Sequence, residues 1–136
     1  MESAVIQAAP TSKKMNVTGW ILSGLVGLMM IGGGVYGLTH LAAVKEQMHK
    51  YGYPDSAVLW MVLAQLISAV LYLVPQTAVL GAILLTGYLG GAVATHVRAG
   101  ENFALAVIVG VVVWLGLFLR DARIRALVPL RSSETR

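Results

Sequence analysis

The segment THVRAGE, residues 95–101, places a histidine, an arginine and a carboxylate close together as His96, Arg98 and Glu101. Histidine titrates near neutral pH, so it can take up or release a proton when a neighbouring carboxylate assists it. His96 and Glu101 are therefore candidates for acid–base catalysis, and His40 is a third candidate. The alternative is an ordinary helix end, in which Arg98 complements the helix dipole and extends toward water.

No other catalytic motif is present in the sequence. Cysteine is absent, which excludes a disulfide scaffold, a thiol catalyst and thiolate ligation of a metal within this chain. His40 and His49 are nine positions apart and no His-x-x-x-His pair occurs, so we predict no metal site. The three glycines at residues 32–34 lack the Lys-Ser/Thr pair of a phosphate-binding loop, and no dinucleotide fingerprint, Ser–His–Asp set or haem-attachment motif occurs.

The composition indicates a membrane protein. Of the 136 residues, 57% are hydrophobic and 12% are charged, whereas soluble domains carry about 25% charged residues. The charges are also segregated, because none occurs between Lys14 and Lys45, between Asp55 and Arg98, or between Glu101 and Arg120. Those gaps have the length of membrane spans. The net charge is +4, and the basic residues that give rise to it flank apolar segments. This position favours lipid head groups, and not nucleic acid, as their partner.

We predict an all-α integral membrane protein with a bundle of four transmembrane helices. The expected spans are residues 17–38, 57–74, 78–97 and 103–119. Helices are favoured over strands because lipid cannot satisfy open backbone groups. The two middle spans are predicted to be separated at LVPQTA, because Pro75 disfavours helix at Val74 and suits the first turn of a new helix.

The distribution of basic residues predicts the orientation. Four spans place both termini on one side, with seven lysines and arginines against three on the other. This excess predicts that both termini are cytoplasmic and that the three histidines lie at the outer face. The expected organisation is a flexible tail at residues 1–15, a membrane domain at residues 16–120 and a basic cytoplasmic tail at residues 121–136.

Polar residues inside the spans form stripes on three helices. Gln65, Ser68 and Tyr72 share one face of the second span. Polar groups that face lipid are costly, so the stripes should turn inward and line a pocket that leads to the outer face. The alternative is that these polar residues form interhelical hydrogen bonds or lie in the aromatic belt at the membrane interface. The pocket candidates are Tyr36, His40, Gln65, Ser68, Tyr72, Tyr88, Thr95, His96, Arg98 and Glu101.

Glycines four positions apart form flat strips that let helix backbones approach closely. We predict that this role belongs to Gly33, Gly37, Gly87, Gly90 and Gly91. Contacts within the chain are one interpretation, and the alternative is a homodimer seam or a docking strip for a partner subunit.

The GYP turn at residues 52–54 and the stretch LVPQTAVLGAILLTGYLGGAVATHVRAGE at residues 73–101 resemble the DoxX-like family of small bacterial four-helix membrane proteins. The resemblance implies a multi-pass protein of the inner membrane that is linked to quinones and membrane oxidoreductase complexes. Family members often carry a lysine near the end of the first helix, where this chain has Thr39 and His40. A role tied to that lysine does not carry over.

Three functional hypotheses follow. The first is a quinone-linked accessory or anchor subunit of a membrane oxidoreductase system, with no covalently attached cofactor and electrons supplied by a partner subunit or a quinol. The second is a non-enzymatic assembly protein that docks partner helices on the glycine strips. The third is a stand-alone binder, transporter or enzyme for a small lipophilic molecule.

Overall fold

The computed structural model describes residues 10–128, and these residues are almost entirely helical. Residues 1–9 and 129–136, which belong to the two predicted tails, lie outside the described part. The helices are α1 (Lys13–Thr39), α2 (Leu41–Lys50), α3 (Asp55–Leu73), α4 (Ala78–Ala99), α5 (Ala104–Arg120) and α6 (Ala122–Leu127).

Three helices, α1, α3 and α4, are long and apolar enough to cross a membrane, and α5 is an apolar helix of 17 residues. The predicted break at LVPQTA is confirmed, because α3 ends at Leu73 and α4 begins at Ala78. Helix α1 begins at Lys13, inside the predicted N-terminal tail, because the Ser12 hydroxyl caps it by accepting from the Met15 amide. The short helices α2 and α6 were not expected.

The four long helices form a ring. Helix α1 packs against α3 and α5, and α4 packs against the same two helices from the opposite side. Helices that are neighbours in the ring run antiparallel to each other, and the bundle has two ends. The closed end holds the start of α1 and the end of α5, and the open end holds the end of α1 and the start of α5. Helix α2 lies at the open end against α3.

The core between the helices is apolar and so is much of the outer surface. Ala69, Leu85 and Val113 are fully buried, whereas Leu28, Trp60 and Leu105 are among many large apolar side chains that are mostly exposed. An outer surface of this kind is typical of a protein that is surrounded by lipid.

Glycines bring the backbones into contact at the closed end. A methyl group at Gly19 would lie 2.8 Å from the carbonyl oxygen of Gly116, and one at Gly81 would overlap the backbone of Tyr72. These close approaches fix α1 against α5 and α3 against α4. Gly19, Gly81 and Gly116 were not among the glycines predicted to mediate helix contacts, although Gly19 continues the spacing of four that relates Ser23 to Gly27.

Polar side chains also connect the helices at the closed end. The Tyr72 hydroxyl, which is fully buried, donates to the Val113 carbonyl oxygen at 2.7 Å and lies 3.0 Å from the Ser23 hydroxyl. The Arg120 guanidinium donates to the Tyr72 carbonyl oxygen at 2.7 Å and lies over the Trp20 ring. Tyr72 therefore links α1, α3 and α5.

Candidate functional site

A cavity of about 660 Å³ lies at the open end between α2, α3 and α4. Aromatic and apolar side chains form most of its wall, with hydroxyl groups and one imidazole among them. The lining residues are Gln47, Met48, Tyr51, Tyr53, Ala57, Trp60, Met61, Ala64, Gly87, Tyr88, Gly91, Ala92, Thr95 and His96.

The end of α4 positions the titratable groups of this cavity. Gly100 adopts the left-handed conformation with φ of 72°, and the Glu101 amide donates back to the His96 carbonyl oxygen at 2.9 Å. This helix-ending turn reverses the chain, and glycine takes the conformation without the cost that a Cβ atom would impose. As a result, the Glu101 side chain lies beside the imidazole of His96.

The end of α2 is built in the same way. Gly52 has a φ of 85°, and the Tyr53 amide donates to the Met48 carbonyl oxygen at 3.1 Å. The turn places Tyr51 and Tyr53 opposite the end of α4. Two left-handed glycines therefore bring together the two chain segments that form the rim of the cavity.

Glu101 joins the two segments at this rim. Its Oε2 atom accepts from the Tyr51 hydroxyl at 2.8 Å and lies 3.0 Å from Nδ1 of His96. The bond from Tyr51, followed by the one from His96, lowers the pKa of Glu101 below its ordinary value of 4.5. The same bond to Glu101 raises the pKa of Tyr51 above 10.0. The carboxylate is thus ionised and the phenol neutral at physiological pH.

Two further contacts attach α4 to the same turn. The Arg98 guanidinium donates to the Tyr51 carbonyl oxygen at 2.9 Å and lies over the Tyr53 ring. The Tyr53 and Thr95 hydroxyl oxygens are 2.5 Å apart. These contacts hold the rim in place independently of Glu101.

The inner end of the cavity is set by Tyr88 and Gln65. The Tyr88 hydroxyl donates to Oε1 of Gln65 at 2.7 Å, and Nε2 of Gln65 donates to the Met30 carbonyl oxygen at 2.8 Å. Because the carbonyl oxygen can only accept, this second bond fixes the orientation of the amide group. Gln65 therefore links α1, α3 and α4 at mid-depth.

The comparisons with known proteins identify the family. The DoxX-like family matches residues 21–118, which is most of the chain. The protein belongs to the DoxX-like family. The comparisons with curated proteins and with solved structures gave no significant match. The family membership that the sequence suggested is thereby confirmed, and with it the character of a helical membrane protein.

The structure divides the ten predicted pocket residues of this DoxX-like protein into three groups. Tyr88, Thr95 and His96 line the cavity. Four others bind residues that line it, namely Gln65, Ser68, Arg98 and Glu101. The remaining three do neither, because Tyr72 lies at the closed end and Tyr36 stacks on His40 at 4.3 Å between ring centroids.

The predicted glycines also divide. Gly33 and Gly37 lie where α1 meets α3, because a methyl group at either would come within 3.0 Å of a side chain of α3. At Gly87, Gly90 and Gly91 a methyl group would meet nothing within 4 Å. This strip of α4 makes no close contact within the described chain, and Gly87 and Gly91 form part of the cavity wall.

Several lining residues were not predicted, among them Tyr51, Tyr53, Trp60 and Met61. The GYP turn was the available signal, since a left-handed glycine just past a helix end reverses the chain and places the next residue beside the last turn of that helix. His49, Glu46 and Asp55 border a separate shallow groove at the open end. Within residues 10–128, no three histidine or carboxylate side chains converge in a way that would hold a metal ion.

Proposed function

We propose that this DoxX-like protein spans the inner (cytoplasmic) membrane four times, through α1, α3, α4 and α5, with both termini in the cytoplasm. The 17 residues of α5 extend about 26 Å, close to the thickness of a bilayer core. Seven of the ten lysines and arginines belong to the closed end and the segments beyond it, which supports a cytoplasmic position for that end.

The absence of cysteine allows a clean test of this orientation. Lys14→Cys is expected to react with a membrane-impermeant maleimide only after the cells are permeabilised, and Lys50→Cys in intact spheroplasts. The opposite labelling pattern would reverse the orientation, and the same accessibility for both positions would contradict a crossing of the membrane by α1.

We further propose that the cavity binds an amphiphilic molecule, a quinone, and that the protein is a quinone-linked accessory or anchor subunit of a membrane oxidoreductase system. The observation that carries this proposal is the cavity itself, which is mostly apolar, with polar groups at its rim and the Tyr88 phenol at its inner end. Ligand sites of this size are usually mostly apolar with a few convergent polar groups.

The cavity also borders the outer surface of the bundle. Trp60, Ala64, Gly87 and Gly91 line it and are exposed on the faces of α3 and α4. In a membrane these faces meet hydrocarbon, so an isoprenoid tail fits along them while the head group lies against Tyr53 and His96. The chain has no cysteine to hold a redox centre, and electrons would come from a partner subunit or from a diffusible quinol.

Trp60 allows this binding to be measured. A variant with Trp20→Phe and Trp114→Phe keeps Trp60 as its only tryptophan, placed in the cavity wall. In nanodiscs, a decyl-substituted benzoquinone or its quinol is expected to change the Trp60 fluorescence with a saturable curve. Gly91→Leu should abolish saturation because the side chain fills the cavity.

Gly90→Leu is the matched control. Gly90 lies next to Gly91 in the chain, is exposed, and does not line the cavity, so this variant should bind as the parent protein does. A linear, non-saturating response to both redox forms, or equal binding by Gly91→Leu, would refute ligand binding in the cavity.

A second function, the docking of a partner helix during assembly, is supported by the open glycine strip on α4. Gly87, Gly90 and Gly91 are exposed and free of neighbours, and small residues of this kind let another helix approach. Here Gly90→Leu is the informative variant, and it should abolish co-purification of a partner subunit while ligand binding persists. Unchanged co-purification would exclude this strip as the docking surface.

A further inference from the structure

The hydroxyl groups that line the cavity donate their hydrogen atoms to other groups of the protein. Tyr51 donates to the Glu101 carboxylate at 2.8 Å, and Tyr88 donates to the carbonyl oxygen of the Gln65 side chain at 2.7 Å. Each phenol has a single hydrogen to give. The oxygen atoms of both side chains can therefore only accept a hydrogen bond from a ligand.

The same conclusion holds for Tyr53 and Thr95. The Thr95 hydroxyl donates to the Gly91 carbonyl oxygen at 2.9 Å, and that oxygen cannot donate in return. The bond of 2.5 Å between Thr95 and Tyr53 must then use the hydrogen of Tyr53. Neither hydroxyl retains a hydrogen for a molecule in the cavity.

The imidazole of His96, in its neutral form, is an acceptor for a related reason. Its Nδ1 atom lies 3.0 Å from Oε2 of Glu101. An ionised carboxylate can only accept, so this contact places the hydrogen of a neutral imidazole on Nδ1. Nε2 is left with its lone pair, and His96 is part of the cavity wall.

The two remaining side-chain donors among the lining residues are Gln47 and Trp60, and both lie at the edge. Gln47 is exposed. Trp60 is 71% exposed, and it borders the lipid-facing opening of the cavity. The polar surface further inside consists of acceptors.

We infer that the cavity selects lipophilic molecules whose polar head donates hydrogen bonds, such as a phenol or a hydroquinone, over those whose head is a carbonyl or an ether. This inference rests on the proposed ligand-binding function and names its ligand class. A head group that can only accept would place its lone pairs against those of Tyr53 and His96, and no hydrogen bond would form. Polar groups left without a partner in a buried site lower the affinity strongly, so such a ligand is discriminated against. For a quinone ligand, the selected form is the reduced dihydroxy form.

The test compares two stable probes, 4-decylphenol and its methyl ether, 4-decylanisole, in which a methyl group replaces the hydrogen that the phenol donates. The single-tryptophan protein in nanodiscs of fixed lipid content is titrated with each probe, and each affinity is corrected for partitioning into protein-free nanodiscs. We expect the phenol to bind at least tenfold more tightly than the ether.

Substitution of the acceptor at the rim tests its role. A glutamine in His96→Gln offers a donor as well as an acceptor, so the preference for the phenol should fall to about threefold or less. His40→Gln is the matched control, because His40 is exposed and does not line the cavity. It should keep the preference of the parent protein. The measured quantity is the ratio of the two affinities, so a variant that weakens the binding of both probes equally would leave this ratio unchanged.

The outcomes separate the inference from the proposed function. If the ether binds as tightly as the phenol, with a saturable curve, the cavity is a ligand site but the inferred preference for hydrogen-bond donors is wrong. Saturation by neither probe and by neither redox form of the benzoquinone would refute the proposed function, and the inference with it. A preference that survives unchanged in His96→Gln would also contradict the inference, because His96 would then not be the selecting acceptor.

Discussion

The two ends of the helix bundle use the same residue types for opposite purposes. At the closed end, Gly81 and Gly116 bring backbones into contact, and Tyr72 is fully buried among three helices. At the open end, Gly87 and Gly91 meet nothing within 4 Å, and Tyr51 and Tyr53 are half-buried around a cavity.

This difference shows that a glycine strip or an intramembrane tyrosine has no fixed role. What decides the role is whether a neighbouring helix covers it. The ring brings α4 against α3 and α5, and near the open end this leaves the glycine face of α4 without a covering helix. The closed end therefore holds the bundle together, and the open end is free to hold a ligand.

The largest effect should come from adding one methyl group at each end. Gly81→Ala would place its methyl 2.7 Å from the carbonyl carbon of Leu71 and closer still to the backbone of Tyr72, and we expect a loss of about 3 kcal/mol in the free energy of unfolding. Gly87→Ala has free space and should gain about 0.5 kcal/mol from its better helix propensity. Unfolding by SDS titration in mixed micelles measures both variants. Equal losses would refute the contrast between the two ends.

An intermediate effect is expected from removing one hydroxyl group at each end. Tyr72→Phe removes the donor to Val113 and a partner of the Ser23 hydroxyl in a fully buried site. It should cost about 1.5 kcal/mol, near the upper range for hydrogen bonds between membrane helices.

Tyr53→Phe is the matched change at the open end. Its hydroxyl binds Thr95 in a half-buried position, so the cost should be close to the average of about 0.6 kcal/mol. The comparison uses the same SDS titration. A larger loss for Tyr53→Phe than for Tyr72→Phe would show that the open end is the more strongly stabilised of the two.

The smallest effect concerns pH and the Glu101 carboxylate. Hydrogen bonds from Tyr51 and His96 lower the pKa of Glu101 below 4.5. A lowered pKa means that its stabilising contribution is present above pH 4.5 and is lost as the pH falls through the folded-state value. Because the carboxylate is exposed, we expect an acid-induced decrease in Tm of only about 2 °C beyond that of Glu101→Gln. Identical acid dependence in both proteins would show that Glu101 does not stabilise the rim.

Much of the architecture could be predicted because it depends on local composition. Charge-free gaps located the long apolar helices, and Pro75 located the break between α3 and α4. Helix α2 was missed because LAAVKEQMHK mixes apolar and charged residues, and no membrane-length apolar run distinguishes it from a loop.

The site was harder to predict because it depends on which helices are neighbours. Periodicity showed that Gln65, Ser68 and Tyr72 share a face, but Gln65 lies at mid-depth, Tyr72 lies at the closed end, and the two bind different partners. The roles of Tyr51 and Tyr53 depend on the left-handed turn at Gly52, and the position of the cavity wall opposite that turn is a property of the assembled ring.

The lipid-facing opening beside Trp60 and Gly87 determines how the affinity of the proposed ligand for this cavity should be expressed. A molecule that enters through the side of the bundle arrives from the bilayer, where a lipophilic compound is concentrated far above its level in water. The dissociation constant that describes occupancy is then a mole fraction in lipid. At a fixed total amount of ligand, adding lipid should dilute the ligand in the membrane and lower the occupancy, even though the protein and its contacts are unchanged.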